Sequence, residues 1–166
     1  LQALAGFDIP LVGLDPAMTL VYRQEYRKIA GLECPDVLLP QEWLLKALDG
    51  QPKLPAKSVA FRLLGHCTEK TNAAPSAAMW VQVFEQAGLQ VTAEATGCCG
   101  MSGTYGHEAR NLETSRTIFA QSWAPALDSG AAAEPLATGY SCRSQVARIK
   151  NATLRHPIQA LLEHLQ

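Results

Sequence analysis

The sequence predicts an α/β fold: a three-layer, mainly parallel sheet of βαβ units, with cysteines at the carboxyl-terminal edge of the strands. Three observations carry this. Short apolar segments closed by turn residues alternate with longer stretches of helical periodicity, which implies parallel pairing through right-handed crossovers. The 166 residues are 48% hydrophobic and 17% charged, the composition of an ordinary globular chain with one real core. Finally, four of the five cysteines come just after such a strand segment, where open parallel sheets hold their ligands.

The elements follow in chain order. Ile9 to Leu14 (IPLVGL) reads as the first buried strand, and a helix from Met18 to Ala30 follows it. Asp49 to Lys57 (DGQPKLPAK) has the proline and glycine of a linker. Val59 to Leu64 (VAFRLL) is the second strand. The stretch from Pro75 to Gly88 opens on proline and closes on glycine, the expected asymmetry of a helix, with Met79, Val83 and Phe84 on its apolar face. Leu89 to Ala95 (LQVTAEA) is the third strand. From about Gly106 to Leu127, the residues Leu112, Ile118, Phe119 and Trp123 recur at helical spacing. Pro135 to Gly139 (PLATG) is the fourth strand, and His156-Pro157 opens a last helix with Ile158, Leu161, Leu162 and Leu165 on one side.

Composition removes several functions. The formal net charge is −1, so there is no basic excess to neutralise phosphates, and no apolar run approaches the roughly 18 residues that cross a bilayer. A first residue that is Leu, with no secretory pattern behind it, predicts a portion of a longer polypeptide. Five cysteines are an odd set, spread between Cys34 and Cys142. This fits a reduced, cytoplasmic compartment better than a disulfide framework.

The stretch ATGCCGMSGTYGH, Ala95 to His107, sets the chemical question. Adjacent cysteines have Cα atoms only about 3.8 Å apart, whereas a relaxed disulfide prefers about 5.5–6 Å. Cys67 follows the second strand, Cys98 and Cys99 the third, and Cys142 the fourth. Three loops distant in sequence therefore bring four thiols to one sheet edge. Helices starting there aim their amino ends at the same place and favour thiolates, while Gly97 and Gly100 allow the backbone to turn tightly.

Clustered thiolates suit a soft metal. Structural zinc usually draws on C-x(2–4)-C knuckles, which are absent here, while neighbouring sulfurs can reach different irons of a cluster. Iron–sulfur is thus the first choice and zinc the second. Two alternatives stay open: cysteines that merely pack, and a thiol enzyme in which Cys98 and Cys99 cycle or Cys99 attacks with His107 as base. Cys34 lies outside the pattern and reads as packing. His66 and His107 read as hydrogen-bonding or capping groups, His156 and His164 as structural or exposed. Neither G-x-G-x-x-G nor a Walker lysine is present.

The set Gly65-His66-Cys67, Cys98-Cys99-Gly100 and Gly139-Tyr140-Ser141-Cys142 resembles the cysteine-rich CCG domain. That family occurs in heterodisulfide reductase, in the iron–sulfur protein of glycolate oxidase and at the carboxyl end of fused FAD-linked oxidases. The stretches GLDP, CPDVLLPQEWLL, GCCGMSGTYGHE, GYSCRSQ and RHPIQ are most similar to fused FAD-linked, iron–sulfur proteins related to D-2-hydroxyglutarate dehydrogenase. The resemblance implies a domain carried twice. Residues 1–48 would be the tail of a first repeat plus connecting helices, 49–57 a linker and 58–166 a complete second repeat, with Ala17-Met18 a degenerate ligand position.

It further implies Cys67, Cys98, Cys99 and Cys142 as ligands of a 4Fe-4S cluster or a zinc ion, with Arg143 beside Gly97 and Gly100 as a charge compensator. The family pattern ends in C-x-x-C, where this chain has Cys142-Arg143-Ser144-Gln145, so the fifth sulfur is missing. FAD would sit in a separate amino-terminal domain, next to a ferredoxin-like one. This part would relay electrons to an unknown acceptor, a quinone or a carrier protein, in the cytoplasm or peripherally at the inner membrane. The resemblance implies no dehydrogenase activity for the part alone. Metal-free scaffolding, zinc scaffolding and thiol–disulfide exchange remain the competing expectations.

Overall fold

The computed structural model describes residues 4, 6 and 8–165. Two parallel sheets form. Strand β1 (Leu11–Val12) pairs with β2 (Val37–Leu38), and β3 (Ala60–Leu64) lies between β4 (Gln90–Ala93) and β5 (Glu134–Ala137). The helices are α1 (Pro16–Gln24), α2 (Pro40–Ala47), α3 (Cys67–Asn72), α4 (Ser76–Gln86), α5 (Leu112–Leu127), α6 (Tyr140–Lys150) and α7 (Pro157–Leu165). The expected α/β class and parallel pairing are therefore observed.

The three-stranded sheet is the middle of three layers. On one face Phe61, Leu63, Val91 and Leu136 pack against Trp80, Val83 and Phe84 of α4 and Ala160 and Leu161 of α7. On the other, Leu64 and Ala137 pack against Phe119 and Trp123 of α5 and Val146 of α6. Each large side chain fully buried in these clusters contributes about 1.5–3 kcal/mol. Arg62 interrupts the apolar VAFRLL run because its guanidinium takes the Ala126 carbonyl at 2.7 Å and that of Ala133 at 3.1 Å. It thereby satisfies a carbonyl that the end of α5 leaves unpaired.

Several boundaries differ from expectation for local reasons. The helix expected from Met18 to Ala30 starts at Pro16, because Asp15 caps it, and ends at Gln24, with a separate 3-10 turn at Tyr26–Lys28. The expected helix from Gly106 begins at Leu112, after 3-10 turns at Tyr105–His107 and Ala109–Asn111. β2 and α2 add a strand and a helix that two residues of strand and a short LLP run could not announce. Residues 49–57 have no helix or strand, yet their backbone is tied to the end of α4 through Leu54 N to Gln86 O (2.9 Å) and Lys57 N to Gly88 O (2.8 Å).

Two parts of the chain follow one path. In the first, β1 leads to α1, then β2 and a helix opened by Pro40; in the second, β5 leads to α6, then a single parallel bridge at Arg155 and a helix opened by Pro157. The details coincide. Gly13 N donates to Leu38 O at 2.9 Å, and Ala137 N to Arg155 O at 3.0 Å. Glu42 accepts from Leu39 N at 2.8 Å, and Gln159 from His156 N at 2.7 Å, the same fold-back that satisfies a free amide before a helix. In this register Asp15 matches Gly139 at the helix N-caps, and Met18 matches Cys142 at the third helical position.

Candidate functional site

The thiols are brought together by the ends of three strands, as the sequence predicts. Cys67 is the first residue of α3, directly after β3; Cys98 and Cys99 lie in the loop after β4; Cys142 is in the first turn of α6, after β5. Cys99 and Cys142 are buried, in the apolar cluster with Leu64, Met101, Phe119 and Trp123. Cys67 and Cys98 are partly exposed beside them. Cys98 and Cys67 adjoin, and so do Cys99 and Cys142. Cys34 stands in the irregular segment before β2, apart from this set as expected.

The CCG loop is held from behind. Gly97 N donates to Ser122 Oγ, and the Trp123 indole donates to Gly97 O at 3.1 Å, so α5 grips the loop by its backbone. Gly100 has φ +84°, and a Cβ there would lie 2.2 Å from the Ser115 carbonyl oxygen; only glycine fits both conditions. Its amide points back to Cys98 Sγ at 3.3 Å. Ser115 donates to Gly100 O at 2.8 Å and accepts from Gln145 Nε2 at 2.7 Å. Gln145, at the position where the C-x-x-C pattern would place a fifth sulfur, is thus a buried clamp between α6 and the CCG loop.

Electrostatics separates the buried pair. Cys99 is the acid partner: the hydrogen bond from the Cys142 thiol, aided by the Met101 amide, pulls its pKa down to about 7 against the effect of burial. Cys142 is pushed up for the same reason, since it holds the proton that Cys99 accepts, and burial adds to this. Burial raises Cys98, opposed by the Gly100 amide. Together these place a thiolate at Cys99 near neutral pH.

Two cations lie near the thiols: Arg143, which the sequence suggests, within reach of Cys142, and Lys70, which it does not single out. Lys70 lies one turn after Cys67 on α3, and its ammonium bonds the Thr96 carbonyl and, at 2.9 Å, the Thr96 hydroxyl, at the start of the CCG loop. Burial lowers its pKa, and nearby Cys142 and Cys67 oppose that shift. Arg143 donates to the carbonyls of Ala137 and Thr138, each at 2.9 Å, closing the end of β5 with its charge near Cys142.

Behind the thiols lies a buried polar network that the sequence reading did not single out. Glu69 accepts from Gln41 Nε2 (3.0 Å), Ser76 Oγ and Thr138 Oγ1 (2.5 Å), while Thr138 Oγ1 accepts from His66 N at 2.9 Å. The carboxylate thereby fixes the turns before Cys67 and before Cys142 relative to each other. His66 caps α3 through Nδ1, which accepts from Thr68 N (3.2 Å), and its Nε2 meets Ser141 Oγ at 3.2 Å. Its ring also forbids a side chain at Gly139, where a Cβ would fall 2.3 Å from His66 Cδ2 and 3.2 Å from Cys142 Sγ. The available signals were Lys70 three residues beyond Cys67, which shares its helix face, and glycine at a helix N-cap. His107 is exposed in a 3-10 turn, and His156 caps α7.

Among the described residues, no three His, Cys, Asp or Glu side chains are gathered tightly enough to hold a single metal ion. The donor set is all sulfur and stands as adjoining pairs, with a lysine ammonium beside it. An all-sulfur donor set is the chemistry of a soft, thiolate-bound metal or cluster. No described helix is long and apolar enough to cross a membrane.

Known proteins share the sequence. The chain is 64% identical over its whole length to D-2-hydroxyglutarate dehydrogenase of Pseudomonas putida and 45% identical over 98% of its length to that of Escherichia coli, and it spans 16% of the length of each. It is 25% identical to one component of the anaerobic glycerol-3-phosphate dehydrogenase of E. coli, covering 42% of that polypeptide. No family model and no solved structure matches. By their names these relatives are dehydrogenases, that is oxidoreductases or a component of one, and the chain corresponds to a minor part of each.

Proposed function

We propose that this chain is the carboxyl-terminal, CCG-type part of an FAD-linked oxidoreductase acting on a D-2-hydroxy acid, and that Cys67, Cys98, Cys99 and Cys142 hold an iron–sulfur cluster in it. The observation that carries the reading is the convergence of four thiols from three strand ends, with a thiolate favoured at Cys99 and an ammonium at Lys70. The 64% identity to a named D-2-hydroxyglutarate dehydrogenase supports the substrate class and the flavin domain elsewhere in the polypeptide. When bound, a cluster would supply one-electron transfer between that flavin and an acceptor.

The protein's own share is positional. Ser115, Gln145 and Trp123 fix the CCG loop, Glu69 and Thr138 fix the turns that bear Cys67 and Cys142, and the apolar cluster keeps water from Cys99 and Cys142. Lys70 offsets the negative charge that the thiolates bring. Residues 1–48 supply the end of a first repeat in which Met18 replaces the thiol, and 58–166 supply a complete second one. A zinc scaffold is the alternative for the same thiols; thiol–disulfide exchange is favoured by the Cys99–Cys142 contact but opposed by the burial of both.

Iron and acid-labile sulfide analysis with a visible spectrum, on protein prepared without oxygen, decides among them. About four irons and four sulfides per chain, lost in Cys99→Ser, uphold the cluster. One zinc makes the site structural, and no metal after anaerobic reconstitution removes the ligand assignment.

A further inference from the structure

Helix α6 turns two faces to different uses. Cys142, Gln145 and Val146 are buried, whereas Tyr140, Arg143 and Ala147 line a cleft of about 880 Å³ that runs to Leu14, after β1, and to His156 and Ile158 at the start of α7. Two side chains bring donors to it that have no partner among the described residues. His156 is 8% exposed, and its Nδ1 accepts from Ile158 N at 3.2 Å. Burial, helped by nearby Arg143, holds its pKa at about 4, so the ring is neutral and Nε2 carries the proton. That N–H meets no acceptor, yet it is not sealed from the cleft that His156 lines. Arg143 is half-buried, and its Nη1 is spent on the carbonyls of Ala137 and Thr138. The other edge of the guanidinium, Nε with Nη2, is left open. The carboxylates nearby are engaged: Asp15 by Ala17 N, Met18 N and Tyr140 N, and Glu134 and Glu163 by Arg155.

We propose that this cleft binds a small aromatic carboxylate. The Nε–Nη2 edge of Arg143 is the fork that matches two carboxylate oxygens side by side, and His156 Nε2 donates to one of them. The flat body is set by the remaining wall. Tyr140 is 69% exposed, with the Arg143 guanidinium 6.0 Å from its ring centroid, and Leu14 is 64% exposed. An aromatic ring resting on Tyr140, Leu14 and Ile158 covers apolar surface that water otherwise meets. A monoanion suits the site better than a phosphate group, because one unmatched cation and one neutral donor face a largely apolar wall. The inference goes beyond the thiol site and does not rest on a cluster, since the cleft and the buried thiol lie on different faces of α6.

Isothermal titration calorimetry with benzoate, and with benzamide as its uncharged isostere, tests this on the longer polypeptide and on the 166-residue chain. Both proteins should bind benzoate with a Kd of about 1 mM or tighter, and benzamide about tenfold more weakly or worse. Arg143→Lys keeps the charge without the fork and should weaken benzoate by about tenfold. Because Arg143 also closes the end of β5, a second variant is needed. Ala147→Trp, at an exposed position of α6, fills the cleft and should abolish this binding while leaving the melting temperature unchanged. Equal affinity for benzoate and benzamide overturns the proposal, as does a lack of saturation by roughly 20 mM benzoate. Binding that survives Ala147→Trp belongs to another site and overturns it too. So does binding in the 166-residue chain that the longer polypeptide lacks, which would give the cleft to another part of the same polypeptide.

Discussion

The unit from β1 to α2 and the unit from β5 to α7 share a backbone path, hydrogen-bond register and proline-opened second helix, yet only the second carries a thiol in the first turn of its first helix. At the equivalent third helical position Met18 is 53% exposed and Cys142 is 1% exposed. The N-caps differ as well. Asp15 binds Ala17 N and Met18 N with one oxygen, at 3.0 and 3.3 Å, and Tyr140 N of the other unit with the second, at 2.9 Å. One carboxylate therefore caps two helices, which frees position 139 to be glycine and lets His66 and Cys142 approach. The path itself is held by backbone and caps; the chemistry is a property of what packs against it.

That comparison can be broken most severely at Gly139. Gly139→Ala, a first step toward the aspartate of the other unit, drives a methyl into His66 and Cys142 and is expected to destabilise by about 3 kcal/mol; thermal unfolding measures it. Removing the thiol is the next largest change. Cys142→Ala takes away the hydrogen bond that makes Cys99 acidic, so the Cys99 thiolate, titrating near pH 7 in the wild type, should return toward the ordinary range. Thiolate absorbance against pH, taken as a difference from Cys99→Ser/Cys142→Ala, should show its midpoint move upward.

A third test uses the N-caps of the second helices, Leu39 in one unit and His156 in the other. Burial, helped by Arg143, holds the His156 pKa at about 4 against an ordinary 6.5. Between these values the unfolded chain binds a proton that the native one refuses, so stability is full above pH 6.5 and falls as the pH drops toward 4. The expected loss from pH 6.5 to pH 5 is about 2 kcal/mol from this group, read by urea unfolding. His156→Leu, which copies the first unit, should flatten that slope. The smallest effect is at the shared cap: Asp15→Ala should cost about 1 kcal/mol, and amide exchange should rise at the starts of both α1 and α6, not α1 alone.

Much of this was legible before any coordinates. Strands and helices announced themselves where apolar period and turn residues coincided, as in VAFRLL and the Pro75 to Gly88 stretch, because those signals arise within one element. Placing Cys67, Cys98, Cys99 and Cys142 at one edge needed only the rule that parallel strands all end on the same side. The charges were legible only in part: Arg143 is adjacent to Cys142 in sequence, while Lys70 comes near Cys142 only because α3 carries it to the end of β5.

What the sequence determined by itself is therefore the class of fold, the parallel pairing implied by alternating elements, the placement of four cysteines at one edge and the glycines of the CCG loop. Each is fixed by local propensity or by connectivity. Tertiary structure alone decided that Cys99 and Cys142 are an unequal pair, that Gln145 clamps the loop through Ser115, that Glu69 joins two turns, and that Asp15 caps a helix 125 residues away. These depend on which polar group meets which inside a dry cluster, where an unpaired donor or acceptor is costly. That matching is settled by packing among distant elements, and no window along the chain contains it.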